Sequence, residues 1–88
     1  MEMPVHSSTC DQRLESAFRQ ALALPGNFYV RSAQFNEMRQ WDSIAHLQLV
    51  VAIEDAFGVR LDPSDVIDLK SYAQAVHILK VHGAWSDE

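Results

Sequence analysis

The chain has 88 residues, 48% of them hydrophobic, which is enough for one compact domain but not for a deep substrate cleft, so we expect no catalytic activity of its own. The single cysteine excludes an intrachain disulfide and a cysteine-based zinc cluster. The formal net charge of −5 arises within residues 42–69. This acidity argues against nucleic acid as a partner and favours a basic protein surface. The alternative interpretation is an acidic surface that serves solubility alone.

We expect no secretory signal in the N-terminal segment. It has neither the basic patch nor the apolar run of a signal peptide. The longest uninterrupted apolar run of the chain, residues 49–53, is far too short to span a bilayer. We therefore expect a cytoplasmic protein without a membrane partner, with a flexible N-terminal tail over residues 1–8.

A capping box opens the first predicted helix. Thr9 and Gln12 have the spacing at which two side chains satisfy free N–H groups at a helix start. Apolar residues then recur with helical spacing, at Leu14, Ala17, Phe18, Ala21 and Leu22. Pro25 ends this pattern because proline disfavours helical geometry at the residue before it. The sequence predicts a helix over residues 9–24.

No periodicity persists over residues 25–41, where aromatic residues are mixed with polar ones. A structureless segment of this length is unusual, so we expect it either to be functional or to pack its aromatic side chains on the core, with a short helical turn over 33–39.

A second helix then begins near Asp42 and Ser43, both common N-cap types, and ends at Gly58.

Two further helix starts follow along the chain. Asp62 before Pro63 predicts an N-cap and the first residue of a short helix that ends near residue 69. Ser71 and Gln74 repeat the capping-box spacing and open a last helix that extends to residue 83.

These elements define the fold class and the domain limits. We expect an all-α, four-helix bundle with three main helices, one short helix and a long loop between the first two helices. The domain is assigned to residues 9–83, followed by a C-terminal tail over 84–88, and we expect a monomer.

The second helix carries two apolar faces. Its core face occupies an arc of about 100° and consists of Leu49, Val50, Ile53 and Phe57. A second stripe lies roughly 145° away, is bordered by Gln48 and Asp55, and consists of Ile44, Leu47 and Val51. The long loop either covers this stripe or leaves it exposed for a partner. The acidic surroundings favour a partner.

Ser43 has two interpretations. A serine at a helix start usually caps the helix. Asp42 can supply that cap instead, which would leave the Ser43 hydroxyl at a helix end that favours an attached anion. No histidine stands in an obvious base position, so we expect any phosphate chemistry at Ser43 to be performed by another protein.

The residues around Ser43 resemble a known family. Residues 41–44 are Trp-Asp-Ser-Ile, and residues 53–59 are Ile-Glu-Asp-Ala-Phe-Gly-Val. This pattern is similar to that of the acyl carrier proteins, whose signature is Asp-Ser-Leu at the start of helix two, an acidic helix end and a Phe-Gly exit. The resemblance covers about residues 9–83 and implies the four-helix acyl-carrier fold.

The resemblance also implies a prosthetic group and a set of partners. A phosphopantetheinyl transferase would move 4'-phosphopantetheine from coenzyme A onto the Ser43 hydroxyl, with Asp42 near the transferase contacts. A ligase or an acyltransferase would load an acyl or aminoacyl group as a thioester on this arm, for use by a downstream synthase. The implied partner-binding residues are Ile44, Leu47, Gln48, Val51, Asp55, Asp62, Asp65 and Asp68.

Departures from the family pattern indicate the type of pathway. Ile44 replaces the usual leucine, and Ala45 and Gln48 stand where fatty-acid carriers commonly have acids. Trp41 before the Asp-Ser pair resembles stand-alone carriers of specialised pathways, polyketide or amino-acid-derived. A rival interpretation from another class is a helical adaptor or regulatory protein that keeps the carrier fold without the prosthetic group.

The remaining cysteine and histidine residues have simpler interpretations. Cys10 and His6 lie near the N-terminus, where an incidental thiol is favoured over thiol catalysis or a metal site. His77 and His82 are five residues apart, whereas a zinc-binding helix places two histidines four apart. His46 projects toward the core face of the second helix, which favours a hydrogen-bonded histidine over a metal ligand. We expect no metal site.

Overall fold

The computed structural model describes residues 9–35 and 37–85, and over these ranges the protein is helical. A 3₁₀ helix spans Val30–Ser32, earlier than the turn expected over 33–39. The α-helices of these ranges are α1 (Thr9–Leu22), α2 (Ser43–Phe57), α3 (Pro63–Asp68) and α4 (Tyr72–Val81). None of them is long and apolar enough to cross a membrane. An isolated bridge is the only β pairing within the described ranges, so the predicted all-α fold class is confirmed.

The helices α1 and α4 each end two residues before the predicted position, because the backbone turns left-handed beyond them. After α1, Ala23 has φ of 53°, and the Leu24 N–H donates to the Arg19 carbonyl at 3.1 Å. After α4, Gly83 takes the same position with φ of 74°. Both ends are C-terminal caps of the Schellman type, which use a left-handed residue to satisfy helix carbonyls. Alanine adopts this conformation at a steric cost that glycine avoids.

The core combines residues of the helices with residues of the loop between α1 and α2. Its largest fully buried side chains are Trp41, Phe18, Leu14, Leu22, Leu49, Ile53, Leu69, Leu79 and Val30. Two of these, Val30 and Trp41, belong to the loop, and Phe28 and Phe35 pack against the core from the same segment. The long loop therefore packs Phe28, Phe35 and Trp41 on the core, one of the two roles expected for it, while Tyr29 is 69% exposed.

Charged and aromatic groups fasten this loop to α1 and α4. Arg31 Nε donates to Glu15 Oε2 at 3.1 Å, and Arg31 Nη2 lies 3.2 Å from Asp11 Oδ1. The same guanidinium lies over the Tyr72 ring, 5.3 Å from its centroid. Tyr72 donates its hydroxyl to Asp11 Oδ1 at 2.6 Å. Burial, followed by this hydrogen bond, raises the pKa of Tyr72 well above its usual range, so the hydroxyl remains a donor.

Candidate functional site

A carboxylate caps the N-terminal end of α2. Asp42 has extended geometry, with φ of −97° and ψ of −171°, and its Oδ1 accepts a hydrogen bond from the Ala45 N–H at 2.9 Å. Its carbonyl accepts the first helical hydrogen bond, from the His46 N–H at 2.8 Å. Of the two possible caps named from the sequence, Asp42 and not Ser43 performs this role.

The fold leaves the Ser43 hydroxyl unused. Ser43 is the first residue of α2, its side chain is exposed, and within the described ranges it makes no hydrogen bond. The N–H groups of Ser43 and Ile44 lie in the first turn, beyond the reach of any carbonyl of the helix. These N–H groups and the helix dipole favour a negative charge at this position. The site therefore fits a covalently attached phosphate, because the hydroxyl is accessible and the helix end is electropositive.

The second apolar stripe of α2 is exposed to solvent. Ile44 is 70% exposed, Leu47 is 61% exposed and Val51 is 55% exposed. The opposite face of the helix is buried and consists of Ala45, Leu49, Val50 and Ile53. Because all three side chains are more than half exposed, the described residues of the long loop do not cover the stripe. Of the two alternatives for this face, coverage by the loop is therefore excluded.

A further exposed apolar residue lies on α3. Ile67 is 67% exposed, close to the value for Ile44 on α2. Sequence reasoning missed it because a helix of six residues is too short to establish a periodicity that separates exposed from buried positions.

The predicted acidic residues fall into two groups. Asp62 and Asp65 form a reciprocal capping box at the start of α3, in which Asp62 Oδ1 accepts from the Asp65 N–H at 3.0 Å. Asp65 also lies 2.6 Å from His82 Nε2 through its Oδ2 atom. Asp55 and Asp68 are exposed and make no hydrogen bond or ion pair within the described ranges. The second pair is thus available to a partner, whereas Asp65 is half-buried and already engaged.

Local hydrogen bonds hold Asp62 in its ionised form. The Asp65 N–H is the strongest influence, and the Ser64 hydroxyl adds a second hydrogen bond to Asp62 Oδ1 at 2.9 Å. Together they lower the pKa of Asp62 below its ordinary value. The cap of α3 is therefore charged at neutral pH.

An open groove between α1 and α2 includes part of the exposed stripe. Its α2 side contains Leu47, Gln48, Val51 and Asp55, all four of which the sequence assigned to partner binding. The α1 side carries one charged residue, Arg13, and is otherwise uncharged, with Thr9, Gln12, Ser16, Ala17, Gln20 and Ala21. Half of the eight predicted partner-binding residues thus share one surface, while Ile44 lies beside Ser43 and the other three residues lie on or next to α3.

The family model described as "Phosphopantetheine attachment site" matches residues 12–79, which include Ser43, all of α2 and all of α3. The chain belongs to the acyl carrier protein family. Searches of curated proteins and of solved structures each gave no significant match. The prosthetic group of this family is covalently bound 4'-phosphopantetheine, so the cofactor implied by the sequence is confirmed.

In this carrier, the His46 side chain connects Trp41, two residues before Ser43, with α3. Trp41 Nε1 donates to His46 Nδ1 at 3.0 Å, and His46 Nε2 lies 2.8 Å from the Val66 carbonyl oxygen. Because an indole N–H can only donate, His46 Nδ1 is the acceptor, and Nε2 carries the proton and donates to Val66. The sequence predicted a hydrogen-bonded histidine but not its partners, since Val66 lies twenty residues further along the chain.

The other cysteine and histidine candidates of the carrier differ in burial and in pairing. Cys10 lies within the first turn of α1 and is buried. His82 pairs with Asp65, and His77 is exposed. His6 lies outside the described residues. Within residues 9–35 and 37–85, no three His, Cys, Asp or Glu side chains are close enough together to hold a metal ion.

Proposed function

We propose that this acyl carrier protein bears 4'-phosphopantetheine on Ser43 and presents an acyl or aminoacyl intermediate to partner enzymes. The arm supplies a thiol that holds the intermediate as a thioester. The observation that carries the proposal is the exposed Ser43 hydroxyl, which has no partner in the fold because Asp42 makes the helix cap. No catalytic step is assigned to the chain itself.

Attachment requires a second protein, because α2 provides a nucleophile without a base. Ser43 Oγ would attack the phosphorus that bears the pantetheine arm in coenzyme A, forming a phosphodiester and releasing the adenosine bisphosphate portion as the leaving group. The serine proton passes to a base of the transferase, since no described side chain hydrogen-bonds to Ser43. The free N–H groups at the start of α2 favour the resulting negative charge.

Incubation with coenzyme A and a promiscuous phosphopantetheinyl transferase tests this proposal. The wild-type chain should gain one phosphopantetheine by intact-mass measurement, and peptide mapping should locate it on Ser43. Ser43→Ala should stay unmodified and keep the helix content of the wild type by circular dichroism. Ser64→Ala is the matched control because it removes another exposed serine from the first turn of a helix, and it should be modified like the wild type.

A folded wild-type chain whose mass does not change would contradict the proposal. It would favour the adaptor interpretation, in which the exposed face of α2 binds partners without any arm. The mass of the protein purified from its own host separates the two cases independently, because an adaptor would be uniformly unmodified.

The exposed face of α2 is our proposed docking surface for partner enzymes. Leu47 and Val51 offer apolar contact, and Asp55 beside them offers charge. A small apolar patch with acids at its edge binds a basic surface rapidly and reversibly, because charge steers the encounter while little area is buried. Short-lived contacts suit a carrier that serves several enzymes in turn.

Val51→Arg and Asp55→Lys test this docking surface. Each should lower kcat/KM for acylation of the modified chain by an acyltransferase that accepts the wild type, by about fivefold or more, without lowering Tm. Val81→Arg is the control for the first variant because Val81 is a 71% exposed valine on α4. Glu37→Lys is the control for the second because Glu37 is an exposed acid of the loop. Docking variants that are acylated as fast as their controls would exclude this face.

The pathway that we propose is specialised biosynthesis, of a polyketide or a related product. Its support is the first part of α2, where Ala45 and Gln48 are uncharged, together with Trp41 before the Asp-Ser pair. The same acylation assay, run with acyltransferases of fatty-acid and of polyketide synthesis, distinguishes the two pathways by their relative kcat/KM.

A further inference from the structure

We propose that His46 is a positioning residue, which links α3 and the segment before Ser43 to the start of α2. This link, from Trp41 through His46 to Val66, lets a partner meet the Ser43 hydroxyl and α3 as one rigid surface. This inference rests on the proposed function, because it concerns how Ser43 is presented.

The first half of the link runs from His46 to the buried Trp41. The indole lies edge-on to Phe18 and Phe35, with ring centroids 5.5 and 5.8 Å away, so it is anchored in the core. Its N–H donates to His46 at 3.0 Å. The two bonded side chains therefore flank Ser43 in the sequence, two residues before it and three residues after it. The backbone at Ser43 is held in place while its hydroxyl stays exposed.

The second half of the link runs from His46 to α3. The Val66 carbonyl is among the last four of a helix that ends at Asp68, so it has no partner within that helix. His46 Nε2–H supplies that partner at 2.8 Å. No residue of α3 itself is buried, but its partly buried Val66 packs against the core, and Leu61 and Leu69 on either side of the helix are buried. Side-chain hydrogen bonds add to this packing and fix the position of the helix, from His46 on one side and from His82 to Asp65 on the other.

One histidine thus joins two exposed apolar positions of the surface. Ile44 follows Ser43 directly, and Ile67 follows Val66 directly. Without the link to Val66, α3 would move relative to α2, and a partner would have to order it on binding. That cost falls on binding and not on the chemical step, so it should appear in KM while kcat is unchanged.

Two conservative substitutions separate the two halves of the link. His46→Asn places an amide at the level of Nδ1, so Trp41 keeps its acceptor while Val66 loses its donor. His46→Gln places an amide at the level of Nε2, so Val66 keeps its donor while Trp41 loses its acceptor. His77→Asn and His77→Gln are the matched controls, because His77 is an exposed histidine of α4 without such contacts.

The transferase reaction with coenzyme A provides the kinetic readout. His46→Asn should raise the KM for the carrier between about twofold and tenfold, the range expected for one net hydrogen bond, with kcat unchanged. His46→Gln should restore the wild-type KM. Amide hydrogens of α3 should exchange faster in His46→Asn only. The indole N–H resonance of Trp41, assigned in a Trp85→Phe background, should move in His46→Gln only.

The outcomes distinguish this inference from the proposed function. Equal KM values and equal α3 exchange in the Asn and Gln variants would overturn the role of His46, as would a fall in kcat without a change in KM. If the wild-type chain accepts no phosphopantetheine, the proposed function fails, and the exchange measurement still tests the link. Faster α3 exchange in His46→Asn alone would then support it, and equal exchange in all variants would overturn it.

Discussion

The starts of α2 and α3 contain the same chemical groups and use them differently. Each helix has an aspartate cap with a serine close behind it. In α3, Ser64 stands two residues after the cap, and its hydroxyl donates back to Asp62 at 2.9 Å. In α2, Ser43 directly follows Asp42 and makes no such bond within the described ranges. A shift of one position thus separates a serine that completes a cap from one that remains open to modification.

The comparison also shows what makes the α2 start suitable for an attachment site. The α3 start is closed, because Asp65 and Ser64 both engage the Asp62 cap. The α2 start has one cap hydrogen bond from a side chain, and it satisfies the Ala45 N–H alone. The Asp42 carboxylate therefore caps α2, and the neighbouring Ser43 hydroxyl is not needed for the cap.

Removal of the α2 cap gives the largest effect expected from this comparison. Asp42→Ala should lower the free energy of unfolding by about 1 kcal/mol, because the Ala45 N–H loses its acceptor. Ser43→Ala should lower it by at most roughly a few tenths of a kcal/mol, because the hydroxyl makes no hydrogen bond. Chemical denaturation measures both values. If the two variants lose equal stability, Ser43 shares the cap and the contrast with Ser64 is wrong.

Protonation of the α3 cap in acid should have a smaller effect on stability. Because the folded-state pKa of Asp62 lies below its ordinary value of 3.8, ionised Asp62 stabilises α3 fully above that value, and the contribution is lost as the pH falls through the lowered pKa. The Asp62 carboxyl carbon, followed by NMR, should therefore titrate below pH 3.8. Ser64→Ala should move the midpoint upward, since it removes one of the hydrogen bonds to the carboxylate. An unmoved midpoint would show that Ser64 does not contribute to the closed cap.

Helix starts were predictable because their signals are local. Asp62 and Ser71 cap α3 and α4 at the positions that the sequence indicated, since each cap depends on residues within three positions. Helix ends were less predictable. Ala23 adopts a left-handed conformation that its residue type disfavours, so no local signal at that position announces the end of α1.

Those parts of the site that depend on a local motif or on helical periodicity could be predicted from the sequence. The Asp-Ser motif indicated Ser43, and helical spacing identified the second stripe of α2. Whether Leu47 and Val51 are exposed depended on where the loop packs, which the spacing within α2 does not encode. The link from His46 to Val66 joins residues twenty positions apart, and no pattern in a single sequence connects them.

The burial of Cys10 has a consequence for cargo chemistry. It is the only cysteine of the chain, and within α1 it is 8% exposed. In the proposed carrier, a thioester on the arm would meet no exposed sulfur within the described residues, which disfavours both acyl transfer to Cys10 and a disulfide between Cys10 and the arm.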